Sequence, residues 1–432
     1  MRSFLTVALG LTSAVTAYPG MRNTVRDIRA RATEDDSLDS KELIGDLLTV
    51  PAGGLTPIGK AIKEIITADG DPESNDIYDP RKVPSKGTPK CQADTCCIWH
   101  HIANDMEKKF RGKSGRCTAL ARGAVRLGFH DCGAWSKTTG PGGCDGSILL
   151  SGIEMGRGEN RGLEEIAQQT QIWYDNYKGY GITMADLIQM GANVATVVCP
   201  LGPRIRSYVG RVDSRRAAPG DLLPPVTGSA DFLIKMFQNK TIEPHGLTAL
   251  IGAHTTSQQR FVEPSRALDP QDSTPGVWDV LFYKQTLSNA PARVFKFASD
   301  VVLSKDSRIK KEFEEFAGPG GQEHWNEVCG PPQTVENAPG SRTNPVYSGL
   351  RTRVHPAQPA RCEQHQPTGR VHQGAAAGDP RQQLPGQGPG PGRQVGADQG
   401  EDQAVRRDAR VGRLGIGLHG SDCQSSQGSE AL

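Results

Sequence analysis

The sequence AVRLGFHDC, at residues 124–132, places an arginine and a histidine four positions apart. If this stretch is helical, Arg126 and His130 share one face of the helix. An imidazole can move a proton while a fixed guanidinium stabilises a developing anion, so the pair suits heterolytic bond cleavage. An arginine and a histidine on a helix are also ordinary surface groups. The motif alone therefore leaves a catalytic and a structural interpretation open.

A second histidine follows a second helical pattern. Residues 244–258 read PHGLTALIGAHTTSQ, in which His254 comes after Leu247, Leu250 and Ile251. A histidine in such a position is more often a buried core residue than a ligand. Helical patterns run through much of the chain and strand-like alternation is almost absent, which predicts a mainly α fold. The clearest patterns span residues 98–110, 118–130, 163–177, 183–197, 230–237, 244–254 and 294–316.

Five further motifs accompany LGFHDC and LTALIGAHTTS in the chain: GGCDGS, ENRGLEE, CPLGPRIRSYVGRVDS, DSTPGVWD and FASDVVLSKDSR. Taken together and in their order along the chain, the seven motifs resemble the plant-type haem peroxidase superfamily, most closely its secreted fungal (class II) branch. The resemblance covers about residues 91–329. It implies a mainly α, two-lobed haem peroxidase fold with few short strands, in which haem b lies between a distal and a proximal helix.

On the distal side, the resemblance assigns four residues. His130 would take a proton from bound hydrogen peroxide and deliver it to the leaving oxygen, while Arg126 would stabilise the separating charge. Phe129 would wall the cavity. Asn160 matches an asparagine whose carbonyl holds the other imidazole nitrogen of the distal histidine, so that the peroxide-facing nitrogen remains an acceptor.

On the proximal side, the resemblance makes His254 the axial ligand of the haem iron. Asp300 matches a carboxylate that is bonded to the proximal imidazole. Such a partner raises the basicity of the ligating histidine and thereby tunes the iron.

The same motifs carry two calcium sites in the family, with hard oxygen ligands on Gly-rich or carboxylate-rich loops. One site would adjoin each histidine, because Asp131 follows His130 and Thr255 follows His254. The resemblance assigns Asp131, Gly143, Asp145 and Ser147 to the distal calcium, and Thr255, Asp272, Thr274, Val277 (through its carbonyl) and Asp279 to the proximal calcium.

Residues 1–17 have the charged start, short apolar stretch and small-residue cleavage site of a secretory signal, which predicts a secreted, extracellular protein. In that compartment the ten cysteines are candidates for disulfides, and no C-x-x-C pair supports the alternative of zinc. The resemblance implies the fungal pairs Cys91–Cys97, Cys96–Cys329 and Cys117–Cys199, and the plant-like pair Cys132–Cys144. Cys362 and Cys423 have no partner in the family.

The composition changes along the chain. Residues 18–90 are a predicted pro-segment or variable N-terminal extension with two short helical patterns and a linker, followed by a haem peroxidase domain at residues 91–346. Residues 347–432 are predicted to form a low-complexity, disordered tail, because residues 351–432 contain no aromatic residue, Lys or Met. The abrupt change near Asn344 suggests a shifted reading frame or a mispredicted splice. A sequon at residues 239–241 fits a secreted glycoprotein.

Four positions depart from the family and restrict the substrate. Manganese-oxidising members have glutamates seven and eleven residues before the distal histidine and an aspartate six residues after the proximal one. Here these positions hold Gly123, Ala119 and Arg260. Lignin-oxidising members have a surface tryptophan five residues before the proximal histidine, where this chain has Ala249. The activity that the resemblance still implies is the oxidation of phenols or dyes at the haem edge.

The sequence therefore predicts a monomeric peroxidase, an oxidoreductase that uses hydrogen peroxide to oxidise small phenolic or dye-like reductants by one-electron steps. A net charge of +2 and the lack of a membrane-length apolar run favour neither a nucleic-acid nor a membrane partner. One alternative is a secreted calcium-stabilised haem-binding protein with little or no turnover. Another is an intracellular-type cytochrome c or ascorbate peroxidase, against which the signal and the cysteine pattern argue.

Overall fold

The computed structural model describes residues 40–67, 69–70, 72, 79–139 and 142–329, and these residues form a mainly α protein. The α-helices are α1 (Asp46–Thr49), α2 (Pro57–Ile66), α3 (Pro89–Gln92), α4 (Thr95–Phe110), α5 (Ala119–Gly133), α6 (Ser147–Leu150), α7 (Glu164–Tyr177), α8 (Met184–Val198), α9 (Ala230–Gln238), α10 (Pro244–Ile251), α11 (Leu281–Leu287), α12 (Ala298–Leu303), α13 (Lys310–Ala317) and α14 (Gly321–Cys329). A few short strands were expected, but the described residues contain no strand and only two isolated antiparallel bridges, Arg111 with Cys117 and Gln258 with Pro270.

The predicted helical patterns are confirmed to within a few residues, except for the last. Residues 294–316 form two helices, α12 and α13, rather than one. The break follows from Asp306, whose carboxylate accepts the backbone N–H of Arg308 at 3.0 Å. Such a local side-chain bond competes with helical backbone hydrogen bonds and favours a turn. The pattern at residues 244–254 likewise ends as an α-helix at Ile251 and continues as a 3-10 turn, Gly252–Thr256.

The helices pack in two groups, which form the two predicted lobes. In the first group, α5 packs most extensively against α8, and α4 and α7 complete the layer. The close approach of α5 and α8 requires Gly128, since a Cβ there would lie 2.6 Å from the Ala192 Cβ. The second group contains α9 to α14. The α5 helix, which carries His130, is therefore fixed along its length by a buried partner.

The second lobe has an aromatic core that positions the start of the His254 turn. The rings of Trp278 and Trp325 stack with their centroids 5.3 Å apart. The Tyr283 hydroxyl donates to the Thr248 carbonyl at 2.9 Å, and the Trp325 indole N–H donates to the Ala249 carbonyl at 2.9 Å. These side-chain bonds cap carbonyls in the last turn of α10, where the regular helical hydrogen bonds end. A Cβ at Gly252 would collide with Tyr283 and Trp325, so only glycine fits there.

Three of the four predicted disulfides are confirmed: Cys91–Cys97, Cys117–Cys199 and Cys132–Cys144. Cys96 is also disulfide-bonded, but the side chain of its predicted partner, Cys329, lies outside the described residues. The signal at residues 1–17, the end of the domain at residues 330–346, and the tail with Cys362 and Cys423 lie outside them as well.

The described part of the N-terminal extension has the two short helices predicted, α1 and α2, with Pro51 and a 3-10 turn between them. Glu42 forms an ion pair of 2.9 Å with Lys137, and the Pro72 carbonyl accepts the Arg206 N–H at 2.8 Å. The domain boundaries themselves remain predictions. Across the described ranges, none of the helices combines the length and apolarity needed to cross a membrane.

A buried lysine holds the C-terminal end of α5. The Lys240 side chain is 1% exposed, and its ammonium donates to the carbonyls of Gly133 at 2.8 Å and Trp135 at 2.6 Å. A cation at this end of a helix is favourable because the terminal carbonyls carry partial negative charge. Burial nevertheless lowers the pKa of Lys240 to about 8.

We expect this lysine to make stability depend on pH. Its folded-state pKa of about 8 lies below the ordinary value of 10.5, so the unfolded chain binds more protons between these values. The free energy of unfolding of the wild type should therefore rise from pH 8 to 10.5 relative to that of Lys240→Met, as measured by urea denaturation. The exposed Lys235→Met is the matched control and should parallel the wild type. Parallel curves for wild type and Lys240→Met would contradict the assignment.

Candidate active site

Arg126 and His130 lie on one face of α5, as the spacing predicts. The Arg126 Nε lies 3.2 Å from His130 Nε2, and His130 Nδ1 lies 2.7 Å from Asn160 Oδ1. The Asn160 amide nitrogen donates to the Glu154 carbonyl at 2.8 Å, which turns its oxygen toward the histidine. An amide oxygen only accepts, so His130 Nδ1 carries the proton and Nε2 is left with a lone pair.

The Arg126 guanidinium is held in place by backbone carbonyls. It donates to the Arg161 and Glu159 carbonyls at 2.8 Å each, and these residues flank Asn160. Burial lowers the pKa of Arg126, and the Glu164 carboxylate opposes this effect. An arginine nevertheless stays protonated in proteins. The result is a fixed cation beside a basic imidazole nitrogen.

The environment of His130 keeps its ring neutral. Burial and the neighbouring Arg126 charge lower the pKa of His130 to about 3, against the smaller opposing effect of the hydrogen bond that His130 Nδ1–H donates to Asn160. The Phe129 ring lies edge-on to the imidazole, with centroids 5.8 Å apart, and stacks on Phe237 at 6.4 Å. At neutral pH the geometry thus presents an unprotonated Nε2 next to an aromatic surface.

His254 has a carboxylate partner on the other side of the site. Both oxygens of the buried Asp300 lie 3.1 Å from His254 Nδ1. Burial lowers the pKa of His254, but the charge and hydrogen bond of Asp300 raise it, and the net shift is upward. Phe297 and Phe282 stand edge-on to the imidazole, with centroids 5.5 and 5.7 Å away. The ring is therefore fixed with Nε2 as the nitrogen available to a ligand.

The segments that carry the two histidines meet at the boundary between the lobes. The charge of Arg126 lowers the pKa of His254, although less than Asp300 raises it. Arg122, one turn before Arg126 on α5, also hydrogen-bonds to Gln258, four residues after His254. The structure thus brings the two separate sequence motifs into one site.

The residues predicted for the distal calcium converge after α5. Asp131 is fully buried, and its Oδ2 accepts the Gly146 N–H at 3.0 Å, while the Asp145 carboxylate accepts the Ser147 N–H at 3.0 Å. Burial and the nearby Asp145 charge raise the pKa of Asp131 well above its usual range. The Ser147 hydroxyl is buried without a hydrogen-bond partner among the described residues. These oxygens are chemically suited to Ca²⁺, which prefers carboxylate, hydroxyl and carbonyl ligands.

The residues predicted for the proximal calcium form a second oxygen cluster. The buried Thr255 hydroxyl lies 2.5 Å from Asp272 Oδ2, 3.4 Å from the Val277 carbonyl and 3.5 Å from Asp279 Oδ1. The Thr274 hydroxyl lies 2.9 Å from Asp279 Oδ2. Burial raises the pKa of Asp272 to about 7. All five predicted residues therefore meet directly beside His254.

Sequence reasoning missed the support beneath Asn160. Glu154 is 1% exposed and accepts the Ala218 N–H at 3.0 Å, while Arg157 donates to the Ala218 carbonyl at 2.6 Å. This network fixes the Glu154 carbonyl that orients Asn160. The Glu159 and Arg161 carbonyls were missed as well, because backbone acceptors leave no signal in residue type. In the sequence, only the charged residues Glu154 and Arg157, shortly before ENRGLEE, could have indicated this support.

At four positions this chain lacks the manganese ligands or the surface tryptophan of other family members, and the structure shows what stands there instead. Ala249 is 1% exposed, so its position is buried in the second lobe. Gly123 packs against Ile166, and neither it nor Ala119 offers a ligand atom from a side chain. Arg260 is exposed and positively charged. Nothing at these positions can hold Mn²⁺.

The comparisons with known proteins agree with this geometry. The profile of the family described as Peroxidase matches residues 102–319, about half of the chain. A peroxidase of Arthromyces ramosus is 28% identical over 258 residues, which cover 54% of this chain and 68% of the relative. Ligninase LG5 of Phanerodontia chrysosporium is 29% identical over 248 residues, covering 52% and 66%, respectively. A low-redox potential peroxidase of Taiwanofungus camphoratus is 28% identical over 238 residues, covering 51% and 68%.

The chain belongs to the peroxidase family. The resemblance to fungal class II peroxidases and the mainly α haem peroxidase fold are confirmed, and the protein is a peroxidase, an oxidoreductase. Family membership implies haem as the cofactor, and hydrogen peroxide and a reductant as substrates. The alternative of a binding protein without turnover is not favoured by these relatives.

The Asn160 hydrogen bond gives a testable consequence. In Asn160→Ala the His130 Nδ1–H loses its acceptor, so the imidazole can rotate or change tautomer. The rate of reaction with peroxide should fall about 10- to 100-fold, as is usual when a partner that orients a functional histidine is removed. Stopped-flow absorbance gives the rate, and ¹⁵N NMR of the imidazoles gives the tautomer. Asn176→Ala, at an exposed position of α7, is the control. Wild-type rate and tautomer in Asn160→Ala would contradict this role.

Proposed function

We propose that the protein binds haem b between His130 and His254 and oxidises small phenolic or dye-like reductants with hydrogen peroxide in one-electron steps. The observation that carries the proposal is a pair of histidines that are held at Nδ1 by two different kinds of acceptor. An amide carbonyl on His130 Nδ1 leaves a neutral base, and a carboxylate on His254 Nδ1 makes a strongly donating ligand. Two unlike histidines in one site suit a base and a metal ligand.

The chain's own residues fit a haem group. The His254 side chain is 35% exposed while its partner Asp300 is 2% exposed, so the imidazole faces open space from a rigid support. Two aromatic rings, Phe282 and Phe297, flank it. His254 would hold the haem iron through Nε2. When bound, haem supplies a redox-active iron that takes up the oxidising equivalents of peroxide and passes them on singly.

The distal residues would move the proton. His130 Nε2 would take a proton from one oxygen of hydrogen peroxide and deliver it to the other oxygen, which leaves as water. Arg126 stabilises the negative charge that develops on the leaving oxygen, at no cost of reorganisation because its guanidinium is already held by two carbonyls. Phe129 limits the space beside the imidazole. Overall, one hydrogen peroxide takes one electron and one proton from each of two phenols, giving two waters and two phenoxyl radicals.

We also propose that two calcium ions occupy the oxygen clusters beside the histidines. The distal ion would be held by Asp131, Asp145, Ser147 and Gly143, and the proximal ion by Thr255, Asp272, Thr274, Asp279 and the Val277 carbonyl. Each cluster gathers carboxylates in a buried place, where their repulsion favours a divalent cation. The partnerless Ser147 hydroxyl supports the distal site in particular. We further propose that the protein is a secreted, glycosylated monomer whose peroxidase domain spans residues 91–346.

The base is tested most simply by removing it. His130→Ala should react with hydrogen peroxide several orders of magnitude more slowly. General acid–base catalysis contributes about 10²- to 10⁴-fold to a rate. Haem binding, followed by the absorption band of the haem, should persist because His254 is intact. His101→Ala removes a histidine that contacts the Pro84 carbonyl near the linker and should behave as wild type. An unchanged rate in His130→Ala would refute the role.

Calcium is tested by metal analysis and removal. The purified protein should contain two calcium ions per chain, and EGTA should lower the Tm, because a ligand bound only by the folded state stabilises it, by about 2.7 kcal/mol at a hundredfold excess over Kd. Asp145→Asn should lose one ion and Asp279→Asn the other. Asp175→Asn, at an exposed ion pair, should keep both. A calcium-free protein whose Tm ignores EGTA and added calcium would contradict the proposal.

A further inference from the structure

Arginine side chains gather at the mouth of the site, on both sides of the boundary between the lobes. Arg122 on α5 is hydrogen-bonded to Gln258, and Arg126 is bonded to the Arg161 carbonyl. Burial lowers the pKa of Arg122, and the charge of Arg260 lowers it further. Repulsion between like charges is relieved when an anion binds among them. The mechanism proposed above uses only Arg126 of this group.

The carboxylates nearby do not cancel this charge. Glu164 faces Arg126 and Arg260, but its carboxylate also accepts the Gly162 N–H at 3.1 Å. The Glu263 carboxylate points back to its own loop, where it accepts hydrogen bonds from the N–H and O–H of Ser265. Glu159 is half-buried in the segment that binds Arg126. Against the carboxylates of Glu159 and Glu164 stand the four guanidiniums of Arg122, Arg126, Arg161 and Arg260, so these six side chains carry a net positive charge.

An exposed aromatic ring lies within this positive region. The Phe261 ring is 47% exposed, and the Arg161 guanidinium lies 4.3 Å from its centroid. A Cβ at Gly162 would stand 3.2 Å from Phe261 Cε2 and 3.4 Å from Arg126 Nη1. The ring and the catalytic guanidinium therefore flank the same small space. Val262 and Leu268, both 46% exposed, extend the apolar surface along the same loop.

We propose that Arg161, Arg260 and Phe261 form a subsite, here called the rim, that selects small aromatic reductants bearing a negative charge, such as carboxylated phenols. The ring of the reductant packs on Phe261, and its carboxylate pairs with Arg161 and Arg260. Charge complementarity favours this occupant over a neutral phenol and disfavours a cation. Arg260 thereby reverses the charge at a position where manganese-oxidising members have an aspartate. This inference rests on the proposed peroxidase function, since it names the substrate class of that site.

The experiment compares 4-hydroxybenzoate with its uncharged counterpart 4-hydroxybenzamide on the haem-loaded full chain. The wild type should have a lower KM for the benzoate, and that KM should rise with salt while the KM for the benzamide does not, because salt screens exposed charges. In the double variant Arg161→Gln/Arg260→Gln, the KM for the benzoate should rise about tenfold, or about 1.4 kcal/mol, with less than a twofold change for the benzamide. In the single variant Arg260→Gln, the rate of the peroxide step should stay at the wild-type value.

Two control variants and one binding measurement complete the test. Arg260→Lys keeps the charge and should retain most of the preference for the benzoate, and Arg116→Gln, an exposed arginine before α5, should match the wild type. Isothermal calorimetry of benzoate binding to the resting protein gives the same comparison without turnover. The Kd should rise about tenfold in the double variant, again about 1.4 kcal/mol.

The outcomes separate the rim from the peroxidase function. Equal KM values for the benzoate and the benzamide in the wild type, with peroxide-dependent oxidation of both, would overturn the rim and leave the proposed function standing. Loss of haem affinity in the double variant would also overturn it, because the arginines would then hold the haem carboxylates. If neither phenol is oxidised, the proposed function fails, and calorimetry still decides whether the rim binds the anion.

Discussion

The hydrogen bond of 2.7 Å between His130 Nδ1 and Asn160 Oδ1 is the interaction on which the distal chemistry depends. It fixes the tautomer of the imidazole, and it ties α5 to the segment at residues 154–161. The same segment holds Arg126 through the Glu159 and Arg161 carbonyls. The proton-accepting nitrogen and the fixed cation are thus positioned by one short stretch of backbone. Buried Glu154, bonded to the Ala218 N–H, keeps that stretch in place.

Much of the remaining structure fixes the C-terminal ends of two helices, α5 on the distal side and α10 on the proximal side. On the distal side, Gly128 lets α5 approach α8 closely, Lys240 binds the carbonyls at its end, and the Cys132–Cys144 disulfide joins it to the loop with Asp145. On the proximal side, Tyr283 and Trp325 bind the end of α10. Each oxygen cluster begins at the residue directly after a histidine. Loosening either cluster would therefore move the histidine next to it.

Much of this could be predicted from the sequence, because the informative residues are charged, aromatic or cysteine and their motifs are contiguous. Helix positions followed from apolar spacing, and His130, Arg126, Asn160, His254 and Asp300 followed from the family motifs. The break between α12 and α13 was missed, since one Asx turn at Asp306 outweighs an apolar pattern that continues across it. The Glu159 and Arg161 carbonyls, the Lys240 cap and the rim were missed because they depend on which distant backbone and side-chain atoms meet in space.

The most direct test of the proposed haem site is an absorption spectrum of the haem-loaded protein before and after one equivalent of hydrogen peroxide. We expect a Soret band that saturates at one haem per chain, changes within milliseconds of mixing, and returns to its starting form when a phenol is added. A chain that takes up no haem, or whose Soret band is unaffected by peroxide, would contradict the assignment of His130 and His254 to opposite faces of one catalytic cofactor.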